Sequence, residues 1–231
     1  PIVNYTQKDY NAHYQNWNIT QDSSGIVYFG NTHGLLSFNG NLWKLDQLNG
    51  NKAVRSVFYY RDKIFTGAYD EFGYWGKENH ELKFNSLKNL IPDNRLQKEE
   101  IWNIIDCYGK LYLQSFSVLL VYDGKNIKHI KTPDNFMFAQ KVDGELFIQI
   151  LGKGIFKIKK DDTLEFLKNT EIFKDKIVTG IISKNGNLIL STNSHGVFIY
   201  KNDKVNIWKN DLQNYFESVQ INRLLLTHDY K

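Results

Sequence analysis

The sequence predicts an all-β fold made of repeated four-stranded units. Short apolar and aromatic strands alternate with tight polar turns, and the pattern of "SSGIVYFGNTHGLLSF" from Ser23 returns as "KNGNLILSTNSHGVFIY" from Lys184. Aromatic residues, which favour pleated strands, make up 15% of the chain. The turn residues of five repeats are 37, 47, 35 and 42 residues apart: Gly25, Asp62, Gly109, Gly144 and Gly186. Four short strands in about 40 residues are typical of a β-propeller blade.

The repeats predict five complete blades and the start of a sixth. We expect the complete blades over residues 14–46, 53–85, 100–131, 135–167 and 177–209. Their first strands are predicted at "NWNITQD", "VRSVFYY", "IWNIID", "NFMFAQK" and "VTGIIS". A sixth repeat starts over residues 218–231, where "VQINRLLLTHDYK" supplies one strand. Because one strand cannot form a blade, we expect another segment to complete it, or the chain to be a fragment of a longer, seven-bladed propeller.

Three polar connections between blades have room for a helical turn. The longest is "NSLKNLIPDNRLQKEE", residues 85–100, between blades two and three. The others are "NTEIFKDK" from Asn169 and "NDLQNYFES" from Asn210.

Charge and cysteine content narrow the classes of partner. The net charge is +4, and the basic residues are spread along the chain, with "KIKK" as the longest basic run, so no nucleic-acid partner is predicted. A single cysteine, Cys107, forms no internal disulfide and is expected to be a buried thiol. No stretch approaches the roughly 18 apolar residues of a membrane helix. Membrane anchoring is therefore expected only through C-terminal segments missing from this chain.

The sequence contains no recognisable catalytic, metal or cofactor motif. The six histidines form no His-Glu-x-x-His pair, and neither a nucleophile elbow nor a phosphate-binding glycine loop occurs. Asp70 and Glu71 are adjacent carboxylates, but adjacent residues of a strand point to opposite faces. We therefore predict no catalytic residue, no metal site and no cofactor.

A ligand site is predicted at one edge of the blades. In a four-stranded blade, the loop between the second and third strands lies at the same edge as the segment leading into the first strand. We call this edge the upper rim. Aromatic rings there can stack on a sugar, and nearby polar groups can bind its hydroxyls. The candidate ligand-binding residues are Trp17, His33, Arg55, Tyr69, Asp70, Trp102, Phe136 and His195, and the same rim carries Phe116.

Repetition gives several of these residues a structural alternative. Trp17 and Trp102 both precede Asn-Ile, which also fits packing between blades. His33 and His195 both precede a turn glycine, which also fits a hydrogen bond that closes the blade. Arg55, like Tyr69, breaks the repeat and is a better candidate for function.

Several phrases resemble a known family. "QDSSGIVYFGNTHGLLSF" resembles the two-component regulator propeller repeat, and "PIVNYTQKDYNAHYQNWNITQD", "EFGYW", "EEIWNIIDCYGKLYLQSFSVLLVYDG" and "THGLLSFNG" resemble the N-terminal propeller of large bacterial sensor-regulators. Blade two departs from the pattern at Arg61-Asp62, where the turn glycine is expected, and blade three departs at "QSFSV". The resemblance implies the periplasmic sensor of an inner-membrane receptor. Its missing parts would be a triple-tyrosine β-sandwich, a membrane helix and a histidine-kinase or helix-turn-helix output.

Taken together, these features lead us to expect a non-catalytic sensor propeller that recognises a small molecule or an oligosaccharide. A homodimer, formed through the sensor region or through the open blade edge, is a further expectation. Two alternatives stay open. One is a propeller enzyme, a lyase or hydrolase acting on polysaccharide, and the other is a protein–protein scaffold.

Overall fold

The computed structural model describes residues 2–79, 81–209 and 211–226. It confirms the all-β class: five antiparallel sheets of four strands each, with the strands in chain order within every sheet, as in β-propeller blades. The α-helices of the described residues are short, α1 (Gln7–Tyr10) and α2 (Gln213–Ser218). No helix there has the length and apolar character that a membrane span requires. Contacts divide the chain into two compact units, residues 1–129 and 130–231.

The first unit contains three blades. Blade one consists of β1 (Asn16–Gln21), β2 (Val27–Asn31), β3 (Gly34–Phe38) and β4 (Trp43–Asp46). Blade two consists of β5 (Val54–Tyr60), β6 (Lys63–Ala68), β7 (Glu71–Glu78) and β8 (Glu81–Ser86). Blade three consists of β9 (Asn103–Cys107), β10 (Lys110–Gln114), β11 (Leu119–Tyr122) and β12 (Ile127–Ile130).

The second unit contains two blades. Blade four consists of β13 (Gln140–Val142), β14 (Glu145–Ile150), β15 (Gly154–Ile158) and β16 (Leu164–Phe166). Blade five consists of β17 (Val178–Lys184), β18 (Asn187–Thr192), β19 (Val197–Lys201) and β20 (Lys204–Ile207). Short 3-10 helices occur in two of the three polar connections, at Lys88–Leu90, Pro92–Asn94 and Glu171–Phe173, and α2 lies in the third.

The alternation of side chains along a strand explains why both faces of blade two are buried. Ile64 and Phe65 are neighbours on β6 and therefore point to opposite faces of the sheet. Ile64 packs into a core shared with blade one, beside Tyr28 and Leu35. Phe65 packs into a second core shared with blade three, beside Leu111. A blade therefore buries its apolar residues only between neighbours, which is the reason that such units are repeated.

The second unit has a core of the same kind. Phe147 of blade four packs with Val178, Ile181 and Leu190 of blade five. Phe173, from the 3-10 helix between these blades, is completely buried in the same core. Cys107, in the first unit, is a buried free thiol, which confirms its prediction.

Two predicted strands differ in the structure. The first strand of blade four was expected over "NFMFAQK", but β13 covers only Gln140–Val142, and Phe136 forms an isolated bridge with Ile150. Between Phe136 and β13 the ladder is not continuous. One backbone hydrogen bond to β14 occurs there, from the Met137 N–H to the carbonyl of Gln149 at 2.9 Å. In the predicted sixth repeat, residues 219–226 contain no strand, and residues 227–231 lie outside the described residues.

The turn of blade two replaces glycine by charged residues. Both central residues, Arg61 (φ 48°) and Asp62 (φ 59°), adopt the left-handed conformation of a tight hairpin turn. The corresponding residues of blade three are Tyr108 (φ 53°) and Gly109 (φ 75°). The Asp62 carboxylate accepts a hydrogen bond from the Tyr59 hydroxyl at 2.8 Å, which holds the turn without a glycine.

Candidate functional site

A β-bulge marks the beginning of the first strand in blades one and two. The pairing of β1 with β2 shifts between Asn16 and Asn18, and that of β5 with β6 shifts between Val54 and Ser56. The extra residues are therefore Trp17 and Arg55. Bulges redirect side chains at the ends of sheets, and both residues lie at the upper rim.

The first strands of the three blades of the first unit lie side by side, because β5 contacts both β1 and β9. Trp102 lies directly before β9, so three side chains from three blades converge. The guanidinium carbon of Arg55 is 4.2 Å from the ring centroid of Trp17 and 4.9 Å from that of Trp102. The two indole rings meet edge to face, with centroids 5.5 Å apart and planes at 82°.

Two further residues complete this group, which we call the arginine–tryptophan cluster: Trp17, Arg55, Glu100, Trp102 and Phe116. The Nε of Arg55 donates a hydrogen bond to Oε1 of Glu100 at 3.0 Å. The side chains of this ion pair are 18% and 24% exposed, so both are largely withdrawn from water. Phe116 lies 5.8 Å from Trp102 and is 48% exposed, which places an accessible ring beside the buried part of the cluster.

Hydrogen bonding fixes the cluster but leaves donors free. Nε1 of Trp17 donates to Oγ1 of Thr32 at 3.1 Å, which links the ring to the loop after β2. A guanidinium has five N–H donors, and within the described residues Arg55 uses only the Nε donor, toward Glu100. The cluster therefore offers aromatic faces, free guanidinium donors and a carboxylate acceptor. This combination suits a polar ligand that has a flat apolar face.

Tyr69 and Asp70 lie next to the cluster in the loop after β6. The backbone of Tyr69 forms a bridge with Glu100, and its ring is 47% exposed. The carboxylate of Asp70 forms an ion pair with Lys88 at 2.6 Å. Glu71 instead accepts from the hydroxyl of Ser86 at 2.6 Å, so the two adjacent carboxylates have separate partners.

His33 is exposed at the same rim but has no described contact with the cluster. Its ring lies 5.1 Å from that of His13, and its backbone N–H donates to Oδ1 of Asn31 at 2.9 Å. In blade five, the backbone N–H of His195 similarly donates to Oγ1 of Thr192 at 3.0 Å. The repeated structural bond is thus made by the main chain, and both imidazoles are left exposed.

The second unit contains the two remaining candidates, Phe136 in blade four and His195 in blade five. The exposed His195 ring lies 3.2 Å from the hydroxyl of Ser194. Phe136 is 1% exposed, so its ring lies in the interior, and its role in ligand binding stays a prediction. A purely apolar ring gains most in the interior, and Phe136 is buried there beside the bridge to Ile150.

Sequence reasoning missed Glu100, which belongs to the cluster, and Lys88, which forms the ion pair with Asp70 next to it. Glu100 is the last residue of the long polar connection, two positions before Trp102, and only the fold shows that it reaches back to Arg55 in blade two. Lys88 lies in a 3-10 helix of the same connection. The sequence did contain one indication of the role of Glu100, because this residue lies in the segment leading into a first strand, which was predicted to be at the upper rim.

Comparison with known proteins gives the fold. No protein-family model matches the sequence, and no curated protein matches it. Virginiamycin B lyase from Staphylococcus aureus has a similar structure, with a TM-score of 0.62 and 13% identity over 85% of this chain and 70% of the lyase chain. The chain has a β-propeller fold.

Structures of a sensor protein are also similar. The extracellular domain of the putative one component system BT4673 from B. thetaiotaomicron matches with a TM-score of 0.51 and 13% identity, over 92% of this chain and 36% of that one. A second structure, described as a putative hybrid two component system, matches with a TM-score of 0.52 and 13% identity, over 92% and 35%. The chain therefore spans about a third of the length of these extracellular domains. Identities this low show a shared fold alone.

Proposed function

We propose that this chain is the ligand-recognition part of a bacterial signalling receptor, located outside the cytoplasm, and that the arginine–tryptophan cluster binds a carbohydrate. The observation that carries the proposal is the guanidinium of Arg55, held between Trp17 and Trp102 with donors still free. The similarity to the extracellular domain of a putative one component system supports the receptor context. The fold alone does not distinguish binding from catalysis, because a lyase has the same fold. The proposed binding role is therefore argued from the side chains of the cluster.

The chemistry of the cluster fits a sugar better than a simple ion. Pyranose rings have an apolar face that stacks on an aromatic ring, and the exposed Phe116 provides such a surface. Their hydroxyls both donate and accept, which matches the free donors of Arg55 and the carboxylate of Glu100. The Arg55–Glu100 pair has no net charge, so the cluster favours an uncharged ligand over a strongly charged one.

Signalling in the whole receptor would proceed by population shift, without catalysis. A ligand that binds one arrangement of the receptor better than another changes their populations by its difference in affinity. The cluster is suited to this role because it joins the first strands of three blades. Binding there would affect the packing between blades directly.

The test is a binding measurement on a panel of neutral oligosaccharides by calorimetry and tryptophan fluorescence. We expect one class of sugar to bind and to change the emission, because Trp17 and Trp102 belong to the cluster. Arg55→Ala should weaken binding by about tenfold or more, the loss expected for hydrogen bonds to a charged group. Thr179→Ala, at the equivalent bulge of blade five, is the matched control and should bind as the parent does.

Two outcomes would contradict the proposal. Sugar binding that is unchanged by Arg55→Ala would place the site elsewhere. Cleavage of an oligosaccharide in the panel, seen as new chain ends, would favour the lyase or hydrolase alternative.

A homodimer is part of the same proposal, since pairing of two receptor chains is a common route for changing the spacing of membrane segments. Light scattering of the purified chain, with and without the bound sugar, measures it directly. A monomer under both conditions would remove the dimer from the proposal and leave ligand binding intact.

A further inference from the structure

A cavity of about 360 Å³ lies between blades four and five, inside the second unit. Small-molecule sites have volumes of about 300–1,000 Å³, so its size is sufficient. The cavity opens at the edge opposite the upper rim, where Asp143, Gly186 and Asn202 are exposed lining residues in three hairpin turns. None of its lining residues belongs to the arginine–tryptophan cluster. It is therefore a separate candidate site, which we call the interblade cavity.

Strand alternation shows which side chains of blade four face the interblade cavity. Phe147 on β14 and Lys157 on β15 are directly opposite in the ladder, so their side chains share one face of the sheet. That face is the one toward blade five, because Phe147 packs in the core between these blades. Glu145, two residues before Phe147, points the same way and forms an ion pair with Lys157. Blade four therefore presents a carboxylate and an ammonium side by side.

Blade five contributes uncharged side chains to the opposite wall. Ser183, Leu188 and Tyr200 are successive partners across β17, β18 and β19, so they also share one face. Leu188 and Tyr200 pack against the same core as Phe147, which turns this face toward blade four. The Tyr200 hydroxyl donates to Oδ1 of Asp203 at 3.0 Å. Burial, together with this hydrogen bond, raises the pKa of Tyr200 to about 12, so the phenol stays neutral near pH 7.

The base of the interblade cavity is apolar and the ion pair above it is accessible. Four apolar residues line the cavity and either belong to the core between the two blades or pack against it: Val142, Phe147, Leu167 and Leu188. The side chains of Glu145 and Lys157 are 46% and 27% exposed, so a ligand can reach both charged groups. A ligand bound here would therefore contact charges of both signs and an apolar surface.

This arrangement selects a zwitterion that carries an apolar group. A ligand with one charge is attracted by one member of the Glu145–Lys157 pair and repelled by the other. A ligand with an ammonium and a carboxylate can be attracted by both. A sugar has polar hydroxyls around its ring and would lose their hydration against the apolar base. An aliphatic side chain gains free energy by leaving water for the same surface.

We propose that the interblade cavity binds a free amino acid with an apolar side chain. Its ammonium would lie beside Glu145, its carboxylate beside Lys157 and its side chain against Phe147 and Leu188. The site does not depend on carbohydrate binding by the arginine–tryptophan cluster, so each can be tested without the other. Because the Glu145–Lys157 pair is partly exposed, it contributes little to stability, and variants of either residue should keep the fold.

The experiment titrates the whole chain with L-leucine and follows amide chemical shifts by NMR. We expect the shifts to be confined to residues around the interblade cavity. Glu145→Gln and Lys157→Gln should each weaken binding by about tenfold or more, the effect of losing a hydrogen bond between charged groups. Glu171→Gln is the matched control, because Glu171 is exposed in the same unit and does not line the cavity. Shifts elsewhere only, or shifts that both cavity variants leave unchanged, would overturn the proposal.

Ligands that lack one group of leucine test the chemical class. 4-Methylpentanoate has no ammonium, isoamylamine has no carboxylate and glycine has no side chain, so each should bind at least about tenfold more weakly than leucine. Binding of any of them as tight as that of leucine would overturn the zwitterion class. Arg55→Ala, which tests the carbohydrate site, should leave leucine binding unchanged. Loss of leucine binding in that variant, with the fold intact, would place the amino acid at the cluster and contradict a site between blades four and five.

Discussion

Blades two and five both have a β-bulge at the start of their first strand, but the side chain at the extra residue differs. In blade two the extra residue of the bulge is Arg55, and in blade five it is Thr179. Arg55 reaches the rings of Trp17 and Trp102, which belong to the neighbouring blades. Thr179 stays within its own blade, with its Oγ1 3.1 Å from Oγ of Ser191. The repeat therefore determines the position of the bulge. The residue type at that position decides whether its side chain contacts neighbouring blades or only its own sheet.

The residue pair that follows each bulge gives a second contrast. In blade two the pair is Ser56 opposite Gly67, and in blade five it is Gly180 opposite Ser191. Each pair keeps one glycine, and the next segment of the chain packs closely over that glycine. A Cβ on Gly67 would lie 2.5 Å from Cβ of Ile101. Close packing therefore requires a glycine at this level of the sheet. It lies on the second strand in blade two, where Ile101 approaches, and on the first strand in blade five, where Leu224 approaches.

The largest expected effect comes from filling this space in blade two. Gly67→Ala should lower the free energy of unfolding by about 3 kcal/mol, because the new Cβ meets Ile101 and the hydroxyl of Ser56 at 2.5 Å. Chemical denaturation measures the loss. Gly76→Ala is the control, since its nearest atoms would be at 3.6 Å, and it should change stability by no more than about 0.5 kcal/mol.

A double variant tests the contrast between the blades. Ser56→Gly with Gly67→Ser recreates the arrangement of blade five and should recover part of the stability that Gly67→Ser loses alone. If the single and double variants are equally unstable, the pair is not coupled and the exchange between the blades has another origin.

The second prediction concerns the bulge residues themselves. Arg55→Ala should destabilise the first unit by about 2 kcal/mol, because it removes two cation–π contacts and leaves the carboxylate of Glu100 without its partner. Thr179→Ala should cost about 1 kcal/mol or less, since it removes one hydrogen bond within a single sheet. Thermal unfolding of both variants gives the comparison, and equal losses would argue that Arg55 has no role beyond its own blade.

The fold was predictable because its signals are local. Turn residues and strand alternation recur along the sequence, and each repeat defines its own sheet. Three members of the candidate cluster were predictable from the repeat: Trp17 and Trp102 are equivalent in it, and Arg55 was chosen because its residue type departs from it. Glu100 reaches Arg55 across 45 residues, a contact that no local pattern encodes. Phe136 is buried, and the sequence could not show this because an aromatic residue beside a strand suits the rim and the core equally well.

The third prediction compares the hairpin turns of blades two and three. Gly109→Asp would give blade three the Asp of blade two at a left-handed position, with φ 75°. We expect a loss of about 1 kcal/mol, because the residue of blade three that corresponds to Tyr59 is Asp106, which has no hydroxyl to donate to a new carboxylate. Denaturation midpoints measure it. A variant as stable as the parent would show that the Tyr59–Asp62 bond is dispensable for a glycine-free turn.

The smallest effect is a pH dependence of stability that arises in the first turn of blade one. Burial alone raises the pKa of Asp22, but hydrogen bonds from Ser24, from the backbone of Ile26 and from the Tyr28 hydroxyl outweigh it and hold the pKa below its usual value. A carboxyl with a lowered pKa in the folded state contributes stability above its unfolded pKa of about 3.9, and that contribution disappears as the pH falls through the lower, folded value.

Asp22→Asn should therefore be less stable than the parent at neutral pH, and the difference should shrink as the pH falls below about 4. Urea unfolding at a series of pH values measures the difference directly. Asp62→Asn is a suitable control, because that carboxylate has a single hydrogen-bond partner in its turn, the Tyr59 hydroxyl. A gap between parent and Asp22→Asn that stays constant across this range would mean that an amide cannot replace the turn geometry of Asp22, and that charge contributes nothing to it.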